Sequence, residues 1–214
     1  MHVVITGASR GIGRALARDY EARGARVTAT SRSGETGVTL DVTDLAQHRR
    51  LAEALAGQPV DLLVCNAGVY LEKEDDIETG YPPEMWEEAF ATNVTGVFLT
   101  IQALLPHLQA AQVPKVAIIS SMMASQSRAP GGSYIYRASK AAALNLGRNL
   151  AQDFTSMGIA VGIYHPGWVR TEMGGDEADI SEEEASTGLI ARFDALSMAT
   201  TGCFETWDGR AHPF

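Results

Sequence analysis

Residues 2–13 read HVVITGASRGIG, and the change of character inside this stretch decides the fold. His2 to Thr6 is a short β-branched run that breaks at Gly7, and from Arg14 to Ala22 the pattern turns helical. Gly7, Gly11 and Gly13 fill the turn between them. Glycines at a strand-to-helix turn let the backbone approach a pyrophosphate, whose charge is met by unpaired N–H groups at the helix amino terminus. The spacing departs from the strict GxGxxG fingerprint: it runs G, three residues, G, one residue, G. A nucleotide held at the edge of a parallel sheet is the expectation.

Outward from this turn the alternation repeats. Ala25 to Ser31 reads as a second strand, ending in Thr30, Ser31 and Arg32 with no carboxylate to hydrogen-bond a ribose 2′-OH. Arg32, with Arg10 as a second cation, suits the 2′-phosphate of NADP(H), which is favoured over NAD(H); the plain alternative for Arg32 is a solvated turn residue. Ser33 to Gly37 is too short for a helix and leads straight into Val38 to Leu40. Asp41 either receives an adenine amino group or caps the strand end. Asp44 is placed as N-cap for a helix from Leu45 to Ala56. Val60 to Cys65, apolar except for Asp61, reads as a central parallel strand. It ends in Asn66, Ala67 and Gly68, small residues that leave room for a ligand at the carboxyl edge of the sheet.

Tyr70 to Pro83 is acidic and turn-rich, a surface loop of functional length. Glu84 to Gln112 follows with apolar residues at helical spacing, interrupted late by Pro106; Asn93 inside it needs a hydrogen-bond partner. Lys115 to Ser120, Ile159 to Tyr164 and Gly202 to Thr206 read as strands. Ser139 to Thr155 and Glu182 to Ser197 read as helices, the second opened by a capping box of Ser181 and Glu184. No internal repeat or low-complexity linker divides the chain. The expected class is α/β: one domain over 1–214, a doubly wound, Rossmann-like parallel sheet with helices on both faces.

Composition narrows the function. A chain of 214 residues with 45% hydrophobic content can bury a sizeable core. A formal charge of -9 and a pI near 5.0, with no basic cluster, argue against nucleic acid as a partner. No apolar run of membrane-spanning length is evident, so no membrane partner is expected. MHVVITGAS carries no charged leader or cleavage site, Cys65 and Cys203 read as buried thiols, and a reducing, cytoplasmic setting follows as an expectation. No histidine, His165 included, has a partner at metal-ligand spacing, so no metal is expected.

The chemistry is carried by YRASK, Tyr136 to Lys140, and by IISSMMAS, Ile118 to Ser125, before it. On a helix Tyr136 and Lys140 stand one turn apart on one face. An ammonium beside a phenol favours the phenolate and lowers a pKa that is ordinarily about 10. That is what a general acid or base acting on an alcohol or carbonyl requires, although the same spacing also occurs on solvated helix faces.

Taken in order, TGASRGIG, the Asp41-Val42 pair, NAG at Asn66 to Gly68, the Asn93 helix, the Ser121 segment, YRASK and PGWVRT resemble the motifs of the classical short-chain dehydrogenase/reductases over essentially the whole chain. YRASK, HPGWVRTEMGG and FETWDG look most like the C-factor subgroup, which includes proteins described as signalling factors as well as carbonyl reductases. The resemblance implies Tyr136 as proton donor or acceptor, Lys140 on the nicotinamide ribose, Ser121 on the substrate oxygen and Asn93 holding a relay water. It implies Gly7, Ser9, Arg10, Gly11, Ile12 and Gly13 around the cofactor phosphates, with Ser31 and Arg32 at the end of the second strand. Asp41 and Val42 would meet the adenine, Asn66, Ala67 and Gly68 the ribose side, and Pro166, Gly167, Val169 and Thr171 the nicotinamide. Ser121 lies fifteen residues before Tyr136, about two more than the family's common spacing, which leaves Ser120 and Ser125 as alternatives. The segment after Thr171 is short for covering a substrate. Met122, Met123, Tyr70, Trp168 and Met173 are candidates for its apolar wall. The implied activity is hydride transfer between NADP(H) and a small-molecule carbonyl or secondary alcohol, with a dinucleotide-binding signalling or sensor role as the alternative. Homo-oligomers are expected through the helices bearing Asn93 and Lys140.

Overall fold

The structure is a computed structural model that describes residues 1–78 and 80–214. Seven strands form one parallel sheet: β1 (His2–Ile5), β2 (Arg26–Ser31), β3 (Val38–Thr39), β4 (Leu62–Cys65), β5 (Lys115–Ile119), β6 (Ala160–His165) and β7 (Phe204–Thr206). Their order across the sheet is β3-β2-β1-β4-β5-β6-β7. The chain therefore builds outward one way from β1 and the other way from β4. Open α/β sheets bind ligands in the crevice beyond the carboxyl ends of the strands where that direction reverses.

Side chains alternate across the sheet, and both faces are covered. Val3, Ile5, Leu62 and Val64 pack with Leu16 and Tyr20 of α1 (Gly11–Ala22) and with Leu189 and Phe193 of α6 (Glu182–Ala195). Val4, Leu63, Val116 and Ile118 face the other way, onto α2 (Leu45–Ala54), α4 (Gly96–Gln109) and α5 (Tyr134–Asp153) through Leu51, Ile101, Leu104, Leu108 and Leu150. Burial on both faces is why the central strands are continuous apolar runs rather than alternating ones. The doubly wound sheet expected from the sequence is the observed architecture.

Several boundaries move. α1 begins at Gly11, so the last part of the Gly-rich turn is already helix. The segment between β2 and β3 is a turn, as its length required; a parallel return this short works because β3 has only two residues. The long helix before β5 divides into α3 (Pro83–Phe90), a π-helical turn (Ala91–Thr95) and α4, with Pro106 held inside the last turns of α4. By length and composition 83–109 could cross a membrane, with a mean hydropathy of 1.3, yet α4 lays Val97, Ile101, Leu104 and Leu108 into the core. α5 starts at Tyr134, five residues before the expected helix. The acidic segment after β4 is loop and turn up to α3, apart from Thr79, which lies outside the described residues. Cys65 is buried, its thiol pushed up to about 12 by that burial; Cys203 is half-buried, and neither is in a disulfide.

Candidate active site

The Gly-rich turn sits at the carboxyl end of β1, and space there is set by what glycine lacks. Gly7 has φ 66°, and a Cβ on it would lie 2.8 Å from the Ala67 Cα. A Cβ on Gly13 would lie 2.4 Å from the Gly7 carbonyl oxygen and 2.5 Å from Asn66 Nδ2. Asn66 braces this turn: its Nδ2 donates to the carbonyls of Thr6 and Gly7, both at 3.0 Å, and its main-chain N–H donates to Thr6 Oγ1. β1 and β4 are thus stitched together at their switch point by one amide side chain. Gly11 has φ 57°, and a Cβ there would meet Thr171 Cγ2 at 3.3 Å, so the segment after β6 closes over the turn. Ala8 is buried, while Ser9 and Arg10 are exposed at the lip and Ile12 is half-buried. The result is a backbone cradle at the start of α1 with no room for a side chain at position 7 or 13.

At the end of β2, Ser31 is buried and Arg32 exposed, with no ion-pair partner for Arg32 among the described residues. Arg10 is ion-paired with Glu172, across the turn. Both ends of that pair are largely solvated, which makes it a weak tether. Asp41 Oδ1 accepts from the Thr43 N–H and hydroxyl at 2.9 and 2.7 Å, so the carboxylate caps the strand end. Val42 is buried, and Gly96 packs against it with no room for a Cβ. Pro166 and Val169 are buried, Val169 bridging to Ile180, and Gly167 has φ 91° where Trp207 and Ile180 crowd it.

Tyr136 and Lys140 lie on α5, one turn apart, facing the carboxyl end of β5. Lys140 is 4% exposed; its Nζ donates to the Ile119 carbonyl at 3.0 Å and lies 5.7 Å from the centre of the Tyr136 ring. A Cβ on Gly68 would sit 3.3 Å from that Nζ and 3.2 Å from Asn93 Oδ1, so the bare backbone of Gly68 is what lets both groups approach. Among the three serines, Ser121 is the one whose side chain lies near enough to the Tyr136 phenol to pull its pKa down; its Oγ accepts from the Met123 N–H at 3.1 Å. Ser120 Oγ donates to the Lys140 carbonyl and Ser125 Oγ pairs with Ser127 Oγ.

The electrostatics correct one expectation. Lys140 does not draw the phenol down in the chain by itself. Burial pushes Tyr136 up to about 12, with the Ser121 side chain pulling the other way and the Tyr70 and Glu72 side chains adding to the rise. Burial also brings Lys140 down to about 8. Desolvation penalises the charged form of each group, and it is the largest cause of both shifts.

Asn93 lies in the π-helical turn, and its side chain is fully employed. Oδ1 accepts from the Val69 N–H at 2.9 Å, while Nδ2 donates to the Val69 carbonyl at 2.9 Å and to Ser139 Oγ at 3.0 Å. Ser139 Oγ in turn donates to the Tyr136 carbonyl at 2.9 Å. π-turns inside α-helices often mark functional sites. Here one tilts an amide into the gap between the β4 loop and α5.

Two residues of the β4 loop escaped sequence reasoning in this role. Glu72 is 2% exposed, and its Oε1 accepts from the Tyr136 N–H at 2.5 Å, capping the first turn of α5 from outside. Tyr70 stacks on the Tyr136 ring with centroids 4.5 Å apart, and its hydroxyl pairs with Ser133 Oγ. Nothing local in the sequence announces either contact, since both join residues more than sixty apart.

A family model for short chain dehydrogenases matches residues 1–181. The chain belongs to the short-chain dehydrogenase family. Among its relatives, the 3-oxoacyl-acyl-carrier-protein reductase FabG of Escherichia coli strain K12 is 33% identical over 207 residues, covering 90% of this chain and 81% of FabG. The C-signal protein of Myxococcus xanthus is 31% identical over 172 residues, 78% of this chain and 99% of that protein. Among solved structures, the NADPH-bound carbonyl reductase from chicken fatty liver superposes with a TM-score of 0.90 at 29% identity, covering 100% of this chain and 98% of that one. This short-chain dehydrogenase is an oxidoreductase, and the cradle at Gly7 and Gly13 fits a nicotinamide dinucleotide.

The cradle generates a test. Gly13→Ala drives a Cβ into backbone that cannot yield, so dinucleotide affinity falls by about tenfold or more and folding stability by about 1–3 kcal/mol; calorimetric titration and urea unfolding measure the two.

Proposed function

We propose that this short-chain dehydrogenase reduces a carbonyl to a secondary alcohol with NADP(H), Tyr136 donating the proton. The observation that carries the reading is the group of half-buried Tyr136 with buried Lys140 and Ser121 at the carboxyl end of β5, beside Gly68 and the Gly-rich turn. When bound, the reduced nicotinamide supplies hydride to the carbonyl carbon. The protein's part is to orient the oxygen and deliver a proton to it. Ser121 polarises the oxygen through a hydrogen bond. Tyr136, held protonated at neutral pH by its burial, gives its proton to the same oxygen. The phenolate that remains is stabilised by the Lys140 ammonium and regains a proton from solvent. The Asn93 side chain is spent on Val69 and Ser139, so a relay water there would meet its main chain.

The dinucleotide would lie along Gly7, Ser9, Gly11, Ile12 and Gly13, with Asn66 to Gly68 on one side and Pro166, Gly167, Val169 and Thr171 on the other. Arg32 and Ser31 are the residues we assign to a 2′-phosphate, since β2 ends without a carboxylate. Arg10 joins them once released from Glu172. Self-association is proposed through α4 and α5, the former leaving Phe98 41% exposed.

Likeness to C-signal makes a signalling role the second reading. A cofactor-binding signal has no use for a phenol and a buried ammonium set side by side, which favours the enzyme.

Tyr136→Phe lowers kcat for carbonyl reduction by about 10²–10⁴ while leaving NADPH binding intact; NADPH oxidation against a panel of aldehydes and ketones measures this. Equal rates in the two proteins would remove Tyr136 from the chemistry. Because the reduction needs a protonated phenol and a charged Lys140, kcat/KM is flat near neutrality and falls as the pH rises through about 8, where Lys140 loses its proton.

A second variant addresses the cofactor. Arg32→Ala removes a charge-assisted contact and weakens NADPH by about tenfold or more with NADH unchanged; fluorescence titration of both cofactors separates the effects.

A further inference from the structure

A cavity of about 340 Å³ opens at the carboxyl ends of β6 and β7, closed on one side by the segment after β7. Met122, the residue after Ser121, lines it, as do Gly167 and Trp168, which follow β6. The reaction attributed to Tyr136 makes no use of its chemistry. On its floor is His165, the first residue of HPGWVRTEMGG, 9% exposed, with a buried Nδ1 that has no hydrogen-bond partner. Arg128 reaches it from the lengthened loop before α5 and forms no ion pair among the described residues. Arg210 also lines it but is held by Asp208 at 2.8 Å, and Asp179 stands on the rim.

The field at the imidazole is cationic. Burial is the main cause that brings His165 down to about 4, and His212, Arg210 and Arg128 all push the same way against Asp208 alone. His165 is therefore a neutral imidazole in a positive field, able to donate a hydrogen bond but not to hold a charge. A buried polar atom left unpaired is costly, and a ligand acceptor placed there removes the cost.

We propose that this cavity is the subsite for a carboxylate carried by the carbonyl substrate, with Arg128 forking the two oxygens, His165 donating to one of them, and Trp168 and Trp207 flanking the chain between. The inference rests on the reductase reading and narrows its substrate to oxo acids. A guanidinium presents paired donors that match a planar carboxylate. With Arg210 held by Asp208 and the Asp179 carboxylate on the rim, the single unpaired guanidinium of Arg128 suits a monoanion better than a phosphate dianion.

The probe is 5-oxohexanoate against its neutral amide, 5-oxohexanamide, on the full chain. Tryptophan fluorescence reads binding without turnover. The acid binds about tenfold or more tightly than the amide, and Arg128→Gln, a change at an exposed residue, brings the acid to within a few-fold of the amide without altering the amide. Equal affinity in the parent protein, or equal weakening of both probes by Arg128→Gln, overturns the proposal. Steady-state reduction with NADPH separates the two readings. Reduction of acid and amide with the same kcat/KM sinks the subsite and leaves the reductase standing. Arg128-dependent binding of the acid with reduction of neither probe sustains the subsite and sinks the reductase.

Discussion

A lysine ammonium taken out of water is the constraint on which the rest of the site depends. Lys140 lies under α5 with Nζ on the Ile119 carbonyl, the last residue of β5. An isolated cation so placed is expensive, and the cost is lowered by dipoles and by release of the proton. The groups around it follow from that need. β5 ends where its carbonyl can accept, Gly68 has no side chain to block the approach, and Asn93 turns its amide oxygen toward the same gap. The centre of the half-buried Tyr136 ring is 5.7 Å from Nζ, so the cation and the phenol share one site. Each makes the other's charged form more tolerable once a proton has moved.

Holding the phenol still is a task shared between distant parts of the chain. Ser133, the residue before α5, has φ 50° and gives no side-chain cap. Glu72 supplies that function from the β4 loop, and Tyr70 from the same loop covers the face of the Tyr136 ring. Asn93 and Ser139 then fix the Tyr136 carbonyl from below. The β4 loop thus closes over the reaction site and starts the helix that carries it. Loss of water around the phenol raises its pKa, with Tyr70 and the Glu72 carboxylate adding to the rise, and this keeps it a proton donor rather than a base in the resting protein.

The architecture was legible because strand burial on both faces leaves an unmistakable apolar signature, and because glycines at the end of β1 have one structural use. Tyr136 and Lys140 were legible for the same reason, since their spacing is that of a single helical turn. The start of α5 was not: Ser133 is a capping residue type, yet at φ 50° its side chain makes no cap, and the contact that serves instead comes from Glu72, sixty-four residues earlier in the chain. The direction of the Tyr136 shift was also hidden, because sequence shows the neighbouring cation but not the loss of water around both groups. Asp41 illustrates a third limit. Sequence offers it an adenine contact or a strand-end cap, and the hydrogen bonds from Thr43 engage its Oδ1, a pairing that spacing alone does not reveal.

The central claim is that Lys140 is a buried ammonium poised near neutrality, and it can be measured directly. The sequence holds three lysines, Lys73, Lys115 and Lys140, so ε-13C-labelled lysine gives three resolvable NMR titrations. The resonance lost in Lys140→Met should titrate at about 8 in the parent protein. A Lys140 resonance that titrates at the ordinary lysine value of about 10.4 would contradict the account.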